Sequence, residues 1–168
     1  MTPITATVNG IARTAEVDGA ETLLATVRER FGLLGTKEGC LEGECGACTV
    51  LLDSRPVNSC VFPAAAADGC AITTVEGLAS GDELSPLQQA FIDNGSIQCG
   101  FCTPGFVVTL TALLERDPNP DRDTIVAAIA GNVCRCTGYA QIVDAVLQVV
   151  AGTPTAAPSA TATEMGSL

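Results

Sequence analysis

Alternation between apolar and polar positions opens the chain and predicts β-strands. Residues 4–8 and 11–17 alternate on either side of Asn9-Gly10, a pair that tolerates the positive φ angles of a type I′ turn. The apolar residues of 22–31 then recur at helical spacing, and Gly32 follows as a helix end. Three further strands are predicted at residues 49–52, 55–58 and 71–74. Because two strands and a helix in this order open a β-grasp domain, that fold is predicted for the first half.

The apolar positions of the second half recur at helical rather than strand spacing. Ser85-Pro86 has the form of a helix N-cap followed by proline in the first helical position, and Thr103-Pro104 repeats that form. Asp121 or Asp123 can cap a third helix, and Thr137 is expected to cap a fourth. Two helical pairs, each with a cysteine pair between its members, predict a small four-helix bundle.

The change of periodicity divides the 168-residue chain and places it in the α+β class. Two compact halves of about 80 residues each are compatible with this length. The predicted segments are a β-grasp ferredoxin-like domain at 1–78, a four-helix domain at 79–151 and a tail rich in Ala, Thr, Pro and Ser at 152–168. The tail has few residues that could enter a core, so it is expected to be flexible.

Charge and composition exclude several functions. The net charge of -11 argues against nucleic acid as a partner, because phosphate binding requires clustered Lys and Arg. The absence of histidine excludes Rieske ligation, His-based triads and mixed Cys/His zinc sites, so no bond-breaking chemistry is expected on this chain alone. No apolar run approaches the roughly 20 residues of a membrane span. Without a secretory signal, and with an odd number of cysteines in C-x2-C spacings, the protein is expected in the cytoplasm with free thiols.

Eight of the nine cysteines fall into two sets of four. The first set is spaced C-x4-C-x2-C within residues 39–48, as in a plant-type [2Fe-2S] loop, and a fourth cysteine follows the second hairpin. Glycines in this loop remove the Cβ atoms that would prevent a tight turn around the sulfurs. A structural zinc site is the alternative, but such sites usually pair two C-x2-C knuckles. The expected ligands of the first cluster are Cys40, Cys45, Cys48 and Cys60.

The second set combines a C-x2-C pair with a C-x-C pair, a spacing that alone would suit zinc nearly as well as iron and sulfide. Its expected ligands are Cys99, Cys102, Cys134 and Cys136. The ninth cysteine, Cys70, is expected to be a small buried hydrophobe or an idle thiol. Two clusters on one chain would suggest an electron relay.

Three segments closely resemble the small iron-sulfur subunit of bacterial molybdenum hydroxylases, the xanthine dehydrogenase, aldehyde oxidase and carbon monoxide dehydrogenase family. They are Gly39 to Cys48, Gln98 to Gly105 and Gly131 to Tyr139, and the resemblance extends over about residues 4–150. It implies a β-grasp plant-type ferredoxin domain joined to a four-helix-bundle [2Fe-2S] domain. It also implies a heterotrimer in which a large subunit binds molybdopterin cytosine dinucleotide and a medium subunit binds FAD. Whether two such heterotrimers form a dimer is left open.

The resemblance also assigns roles to individual residues. In that family the glutamine before the C-x2-C pair and the last cysteine of the C-x-C pair approach the pterin, which implies this role for Gln98 and Cys136. Arg135 lies between two expected ligands. It would either pair with Asp144 or another surface acid, or raise the reduction potential of the adjacent cluster through its charge.

The sequence is therefore predicted to be the electron-transfer subunit of a molybdenum-flavin dehydrogenase or hydroxylase, without substrate chemistry of its own. Electrons would pass from the molybdopterin centre through the second cluster, then the first, to FAD. The substrate is left open among purines, other N-heterocycles, aldehydes, carbon monoxide and aryl-CoA. A free-standing ferredoxin-like shuttle is the alternative, and a zinc-stabilised adaptor is a third hypothesis. Near the second cluster Phe101, Phe106 and Tyr139 are expected to be partly exposed in the isolated subunit.

Overall fold

A computed structural model describes residues 1–152 and shows a mixed sheet followed by helices, which confirms the predicted α+β class. Apart from Gly152, the predicted tail lies outside the described residues. Within the described range, no helix is both long enough and apolar enough to cross a membrane.

Five strands form one mixed sheet in the order β2-β1-β5-β3-β4. They are β1 (Thr2–Val8), β2 (Ile11–Val17), β3 (Thr49–Leu52), β4 (Arg55–Asn58) and β5 (Ala71–Thr73). Strands β1 and β5 pair in parallel, with Thr7 opposite Ala71, while the other neighbours are antiparallel. This arrangement brings the last strand of the sheet between the two hairpins.

The turn at Asn9-Gly10 has the predicted conformation, and the turn of the second hairpin, at Asp53-Ser54, has the same one. Asn9 and Gly10 have φ angles of 50° and 80°, and Asp53 and Ser54 have φ angles of 48° and 64°. Positive φ at both central positions is the mark of a type I′ turn, whose twist matches that of the flanking strands. The second hairpin ends at Asn58, so it delivers Cys60 beside the first cysteine loop.

Helix α1 (Leu23–Ala25) covers one face of the sheet and continues as a π-helical turn at Thr26–Arg30. A single regular helix was the prediction; instead the Phe31 N–H donates to Thr26 O at 3.1 Å, which widens the last turn. Thr22 caps the helix, since its Oγ1 accepts from Ala25 N at 3.2 Å. The core beneath the sheet consists of Ala6, Val8, Leu23, Val27, Phe31, Val50, Ala67 and Ile72.

Four helices of the second half surround another apolar core. They are α2 (Pro86–Asp93), α3 (Thr103–Arg116), α4 (Arg122–Ala128) and α5 (Ala140–Val150). The largest fully buried side chains of this core are Phe91, Phe106, Leu110, Ile125 and Ile142. Phe106 is 0% exposed, so the expected exposure of this residue is wrong, whereas Phe101 is 47% exposed as expected.

The predicted helix starts are partly confirmed. Ser85 and Gln88 form a capping box at α2, and Asp121 accepts from Thr124 N at 2.8 Å at the start of α4. Thr103 is the first residue of α3 rather than its cap. Thr137 does not cap α5, which begins at Ala140; its hydroxyl bonds to a cysteine sulfur instead, and this contact explains the failed prediction.

The sheet and the helices pack directly on each other. Leu51 of β3 forms a small buried cluster with Val108 and Ala112 of α3, so this long helix contributes to both halves of the molecule. Burial of an aliphatic side chain of this size contributes about 1.5–3 kcal/mol. Helix α3, which directly follows Cys99 and Cys102 of the second set, is thereby fixed against the strand that follows the first cysteine loop.

Candidate functional site

The structure brings the four cysteines of the first set together at one edge of the sheet. Cys40 and Cys45 are half-buried in the loop before β3, while Cys48 and Cys60 are 2% and 5% exposed and pack against Leu24 of α1. Cys45 neighbours Cys40, and both Cys48 and Cys40 are near Cys60. The hairpin β3–β4 therefore closes the site from the side opposite the loop, as the sequence predicts.

Glycine is required at specific positions of this loop. A Cβ on Gly39 would lie 2.8 Å from Cys45 Sγ, a distance that no real side chain tolerates. Gly43 and Gly46 have φ angles of 79° and 67°, in the left-handed region that disfavours other residues. The chain can therefore wrap this closely around the sulfurs only where Cβ atoms are absent, as the sequence predicts.

Backbone hydrogen bonds and burial act in opposite directions on the first set. Cys40 Sγ accepts from the N–H groups of Glu42 and Cys45, each at 3.4 Å. These backbone hydrogen bonds lower the pKa of Cys40 to about 6. Burial, followed by the neighbouring Cys48, raises the pKa of Cys60 to about 11. Cys40 is thus prepared to be a thiolate, whereas Cys60 needs the positive charge of a bound metal to lose its proton.

The second set lies between the helices, at the start of α3 and before α5. The sulfurs of Cys99 and Cys136 are exposed and 3.6 Å apart, while Cys102 pairs with the buried Cys134. Burial is the main cause that raises the pKa of Cys102 to about 12. Two thiols of this set thus lie at the surface and two lie inside.

Within residues 1–152, no three Cys, Asp or Glu side chains converge closely enough to hold a single metal ion. The donors of each set are four cysteine thiols, which is the ligand set of a [2Fe-2S] cluster, so the residues present fit such a cluster.

The two sets are joined by direct backbone contacts. The Val133 N–H donates to Cys45 O at 2.9 Å, and Asn132 Nδ2 donates to Gly46 O at 3.2 Å. A Cβ on Gly105 of α3 would lie 2.1 Å from the same Gly46 oxygen, so the helix start and the loop touch main chain to main chain. The residues next to the ligands of one set therefore position the other set.

A cavity of about 220 Å³ lies between the two sets. Cysteines of both sets line it, together with Gly39, Ala47, Phe101, Val133 and Arg135. Arg135 thus faces this space. Asp144, the acid named as its ion-pair partner in the first of the two hypotheses, pairs with Arg122 at 3.1 Å instead. Pairing of Arg135 with Asp144 is therefore wrong, and the hypothesis that its charge acts on the second cluster stays a prediction.

Gln98 and Cys136 are both exposed, and so is Cys99, whose sulfur lies 3.6 Å from that of Cys136. Both residues implied to approach a pterin therefore lie at the surface of this chain. Cys70 is half-buried before β5, where its sulfur lies 3.8 Å from Asp68 O, and it joins neither set. Its assignment as a spare thiol agrees with this position.

Sequence reasoning missed the residues that connect the two sets. Asn132 and Val133 belong to the segment Gly131 to Tyr139, which carries the resemblance, but no contact between the two halves was predicted for them. Asn132 is 5% exposed, and its side-chain amide donates to Gly46 O in the other half. An uncharged polar residue two positions before the expected ligand Cys134 was the available signal, since a buried amide requires a hydrogen-bond partner. The identity of the partner depends on tertiary packing and could not be inferred.

Two family models match this chain. The model described as a 2Fe-2S iron-sulfur cluster binding domain matches residues 6–82, and the one described as a [2Fe-2S] binding domain matches residues 74–147. Together they cover both cysteine sets.

Curated relatives and solved structures match most of this chain. The small FeS subunit of nicotinate dehydrogenase from Eubacterium barkeri is 48% identical over 142 residues, covering 84% of this chain and 90% of that protein. The iron-sulfur-binding subunit of xanthine dehydrogenase from Escherichia coli O157:H7 is 46% identical over 147 residues, covering 86% and 91%. Quinoline 2-oxidoreductase from Pseudomonas putida 86 superposes with a TM-score of 0.87 at 45% identity, covering 89% of this chain and 93% of the matched chain. The chain belongs to the family of small [2Fe-2S] subunits of bacterial molybdenum hydroxylases.

Proposed function

We propose that this protein is the electron-transfer subunit of a molybdenum-flavin dehydrogenase or hydroxylase. Cys40, Cys45, Cys48 and Cys60 hold one [2Fe-2S] cluster, and Cys99, Cys102, Cys134 and Cys136 hold the other. Each cluster supplies transfer of one electron at a time. Electrons enter from a molybdopterin centre on a large subunit, cross the second and then the first set, and leave to FAD on a medium subunit.

The contact between the two sets is the observation that carries this proposal. Val133 N–H donates to Cys45 O at 2.9 Å, and Val133 immediately precedes the ligand Cys134. A shuttle with one cluster has no use for such a contact. A relay requires it, because transfer between two centres depends on a short and fixed separation.

The exposed end of the second set is the proposed entry point for electrons. Gln98, Cys99 and Cys136 lie at the surface, and Ile97, Phe101 and Val133 beside them are 40%, 47% and 54% exposed. Apolar side chains grouped around a cofactor site favour burial against another subunit over free diffusion. Gln98 and Cys136 are accordingly proposed to contact the pterin. The same grouping disfavours the free-standing shuttle.

The finer architecture follows from the same assignment. Residues 1–78 are proposed as a β-grasp plant-type ferredoxin domain and 79–151 as a four-helix-bundle domain, with the change falling where the two family matches overlap. A heterotrimer in the cytoplasm, where thiols stay reduced, is the proposed setting. The names of relatives include nicotinate and xanthine dehydrogenases and aldehyde oxidoreductases, so the choice of substrate belongs to the large subunit.

Metal analysis of the protein co-expressed with its two partner subunits tests the proposal. Two [2Fe-2S] clusters require about four irons and four acid-labile sulfides per chain. Cys70→Ser is the matched control and keeps the full iron content, because Cys70 joins neither set. Zinc in one set, or half the expected iron in the wild type, contradicts the proposal, and loss of iron in the control contradicts the assignment of ligands.

A further inference from the structure

A closed circuit of hydrogen bonds joins Cys134, Thr137 and Tyr139. Thr137 donates twice to Cys134 Sγ, from Oγ1 at 3.2 Å and from its backbone N–H at 3.4 Å. The Tyr139 N–H donates to Thr137 Oγ1 at 3.2 Å. The Cys134 N–H in turn donates to the Tyr139 hydroxyl at 3.0 Å. Each of the three residues therefore orients another.

The circuit fixes the direction of the threonine proton. A hydroxyl has one proton, and a ligand thiolate can only accept. The Tyr139 N–H donates to a lone pair of Thr137 Oγ1, so the hydroxyl proton must point away from Tyr139 N. It can then point at Cys134 Sγ. Cys134 Sγ is its one hydrogen-bond acceptor among the residues that the structure describes.

The surroundings hold this geometry in place. Gly138 and Tyr139 have φ angles of 67° and 72°, and this left-handed turn brings the Tyr139 N–H back over Thr137. The ring of Tyr139 meets the fully buried Phe106 edge-on, with centroids 6.0 Å apart. Cys134 itself is 8% exposed, so its hydrogen bonds are not weakened by competing water.

We infer that the Thr137 hydroxyl raises the reduction potential of the cluster proposed at Cys99, Cys102, Cys134 and Cys136, with Tyr139 as the residue that positions it. This inference rests on the proposed function. Reduction adds one electron, supplied by the molybdenum centre of the large subunit, and one negative charge, while Thr137 keeps its proton. A donor aimed at a ligand sulfur stabilises the reduced form more than the oxidised form.

Redox titration of the assembled complex, followed by electron paramagnetic resonance, tests the inference. Thr137→Val removes the hydroxyl at nearly constant volume and retains the backbone N–H to the sulfur. Its second cluster is expected to shift to a lower midpoint potential, while the first cluster in the same sample stays unchanged as an internal reference. Thr137→Ser restores a hydroxyl and is expected to return the potential towards that of the wild type. An unchanged potential in a fully loaded Thr137→Val complex overturns the inference.

A second measurement tests the inference if the Thr137→Val complex does not incorporate its second cluster. Electron-nuclear double resonance of the reduced wild type in H2O and D2O is expected to reveal an exchangeable proton coupled more strongly than the backbone amide protons. Its absence overturns the inference. A wild-type complex without any second-cluster signal contradicts the proposed function instead, so the two failures are distinguishable.

Discussion

Gly105→Ala tests whether close packing between α3 and the first cysteine loop holds the two sets together. The new Cβ would lie 2.1 Å from Gly46 O and 3.2 Å from Asn132 Nδ2. Ordinary van der Waals contacts begin at about 3.4 Å. The distance from the new Cβ to Gly46 O is shorter than this by more than 1 Å, so the helix start and the loop must move apart by that amount. The same oxygen accepts the hydrogen bond of Asn132, and Val133 N–H bonds to the adjacent Cys45 O. Both bonds are therefore expected to break.

The size of the effect follows from these contacts. Each lost hydrogen bond costs about 1 kcal/mol, and the overpacking costs about 1–3 kcal/mol. The free energy of unfolding is therefore expected to fall by about 3–5 kcal/mol. For a chain of this size that corresponds to a melting temperature lower by about 10 °C.

Thermal bleaching of the cluster absorbance under anaerobic conditions measures this shift. Gly131→Ala is the matched control, because Gly131 adjoins Asn132 but a Cβ there would meet nothing within 4 Å. The control is expected to melt within about 2 °C of the wild type, as a neutral surface substitution should. If Gly105→Ala also melts within about 2 °C of the wild type, the direct contact between α3 and the loop is not what stabilises the joined sites.

Two further predictions concern stability. The Arg30 guanidinium, bonded to Glu21, is the main cause that lowers the pKa of this carboxyl below its ordinary value of 4.5. This contribution is present above that pH and is lost as pH falls through the lowered pKa. Because Arg30 is 43% exposed and solvent screens the pair, Glu21→Gln should cost at most about 1 kcal/mol at pH 7 in denaturant titrations of the reconstituted protein. This cost should shrink in about 1 M salt, which screens the ion pair; an equal cost at low and high salt contradicts the ion pair. Asp121→Ala should cost about 1 kcal/mol in the same titration by removing the cap of α4, whereas Asp121→Asn should restore most of it.

Local chemistry explains which elements were predictable from the sequence. Asn9-Gly10 and Ser85-Pro86 determine their turn and cap through their own residues, and both have the predicted structure. Thr137 failed as a predicted cap because its hydroxyl has a better partner in Cys134 Sγ, three residues earlier. The wide turn before Phe31 likewise depends on the i to i+5 bond to Thr26, which periodicity does not reveal.

In the candidate sites, too, some features follow from the sequence alone and others depend on tertiary packing. Cysteine spacing grouped the thiols into two sets of four, and the structure brings the members of each set together. The contact between the sets joins Gly46 to Asn132, eighty-six positions apart in sequence, and it depends on the packing of β3 against α3. Phe106 was expected at the surface for the same reason, since its burial requires knowing where the neighbouring helices lie.

Rapid-freeze electron paramagnetic resonance of the assembled enzyme, sampled after mixing with substrate, tests the central claim of an ordered relay most directly. The signal of the cluster at Cys99, Cys102, Cys134 and Cys136 is expected first, followed by that of the cluster at Cys40, Cys45, Cys48 and Cys60 and then by flavin reduction. In a Cys45→Ser complex that retains its fold, the signal of the cluster at Cys99, Cys102, Cys134 and Cys136 should appear at the normal rate, while FAD reduction becomes very slow. In a Cys99→Ser complex, both later centres should stay oxidised. Reduction of the cluster at Cys40, Cys45, Cys48 and Cys60 at the normal rate in the Cys99→Ser complex contradicts the relay.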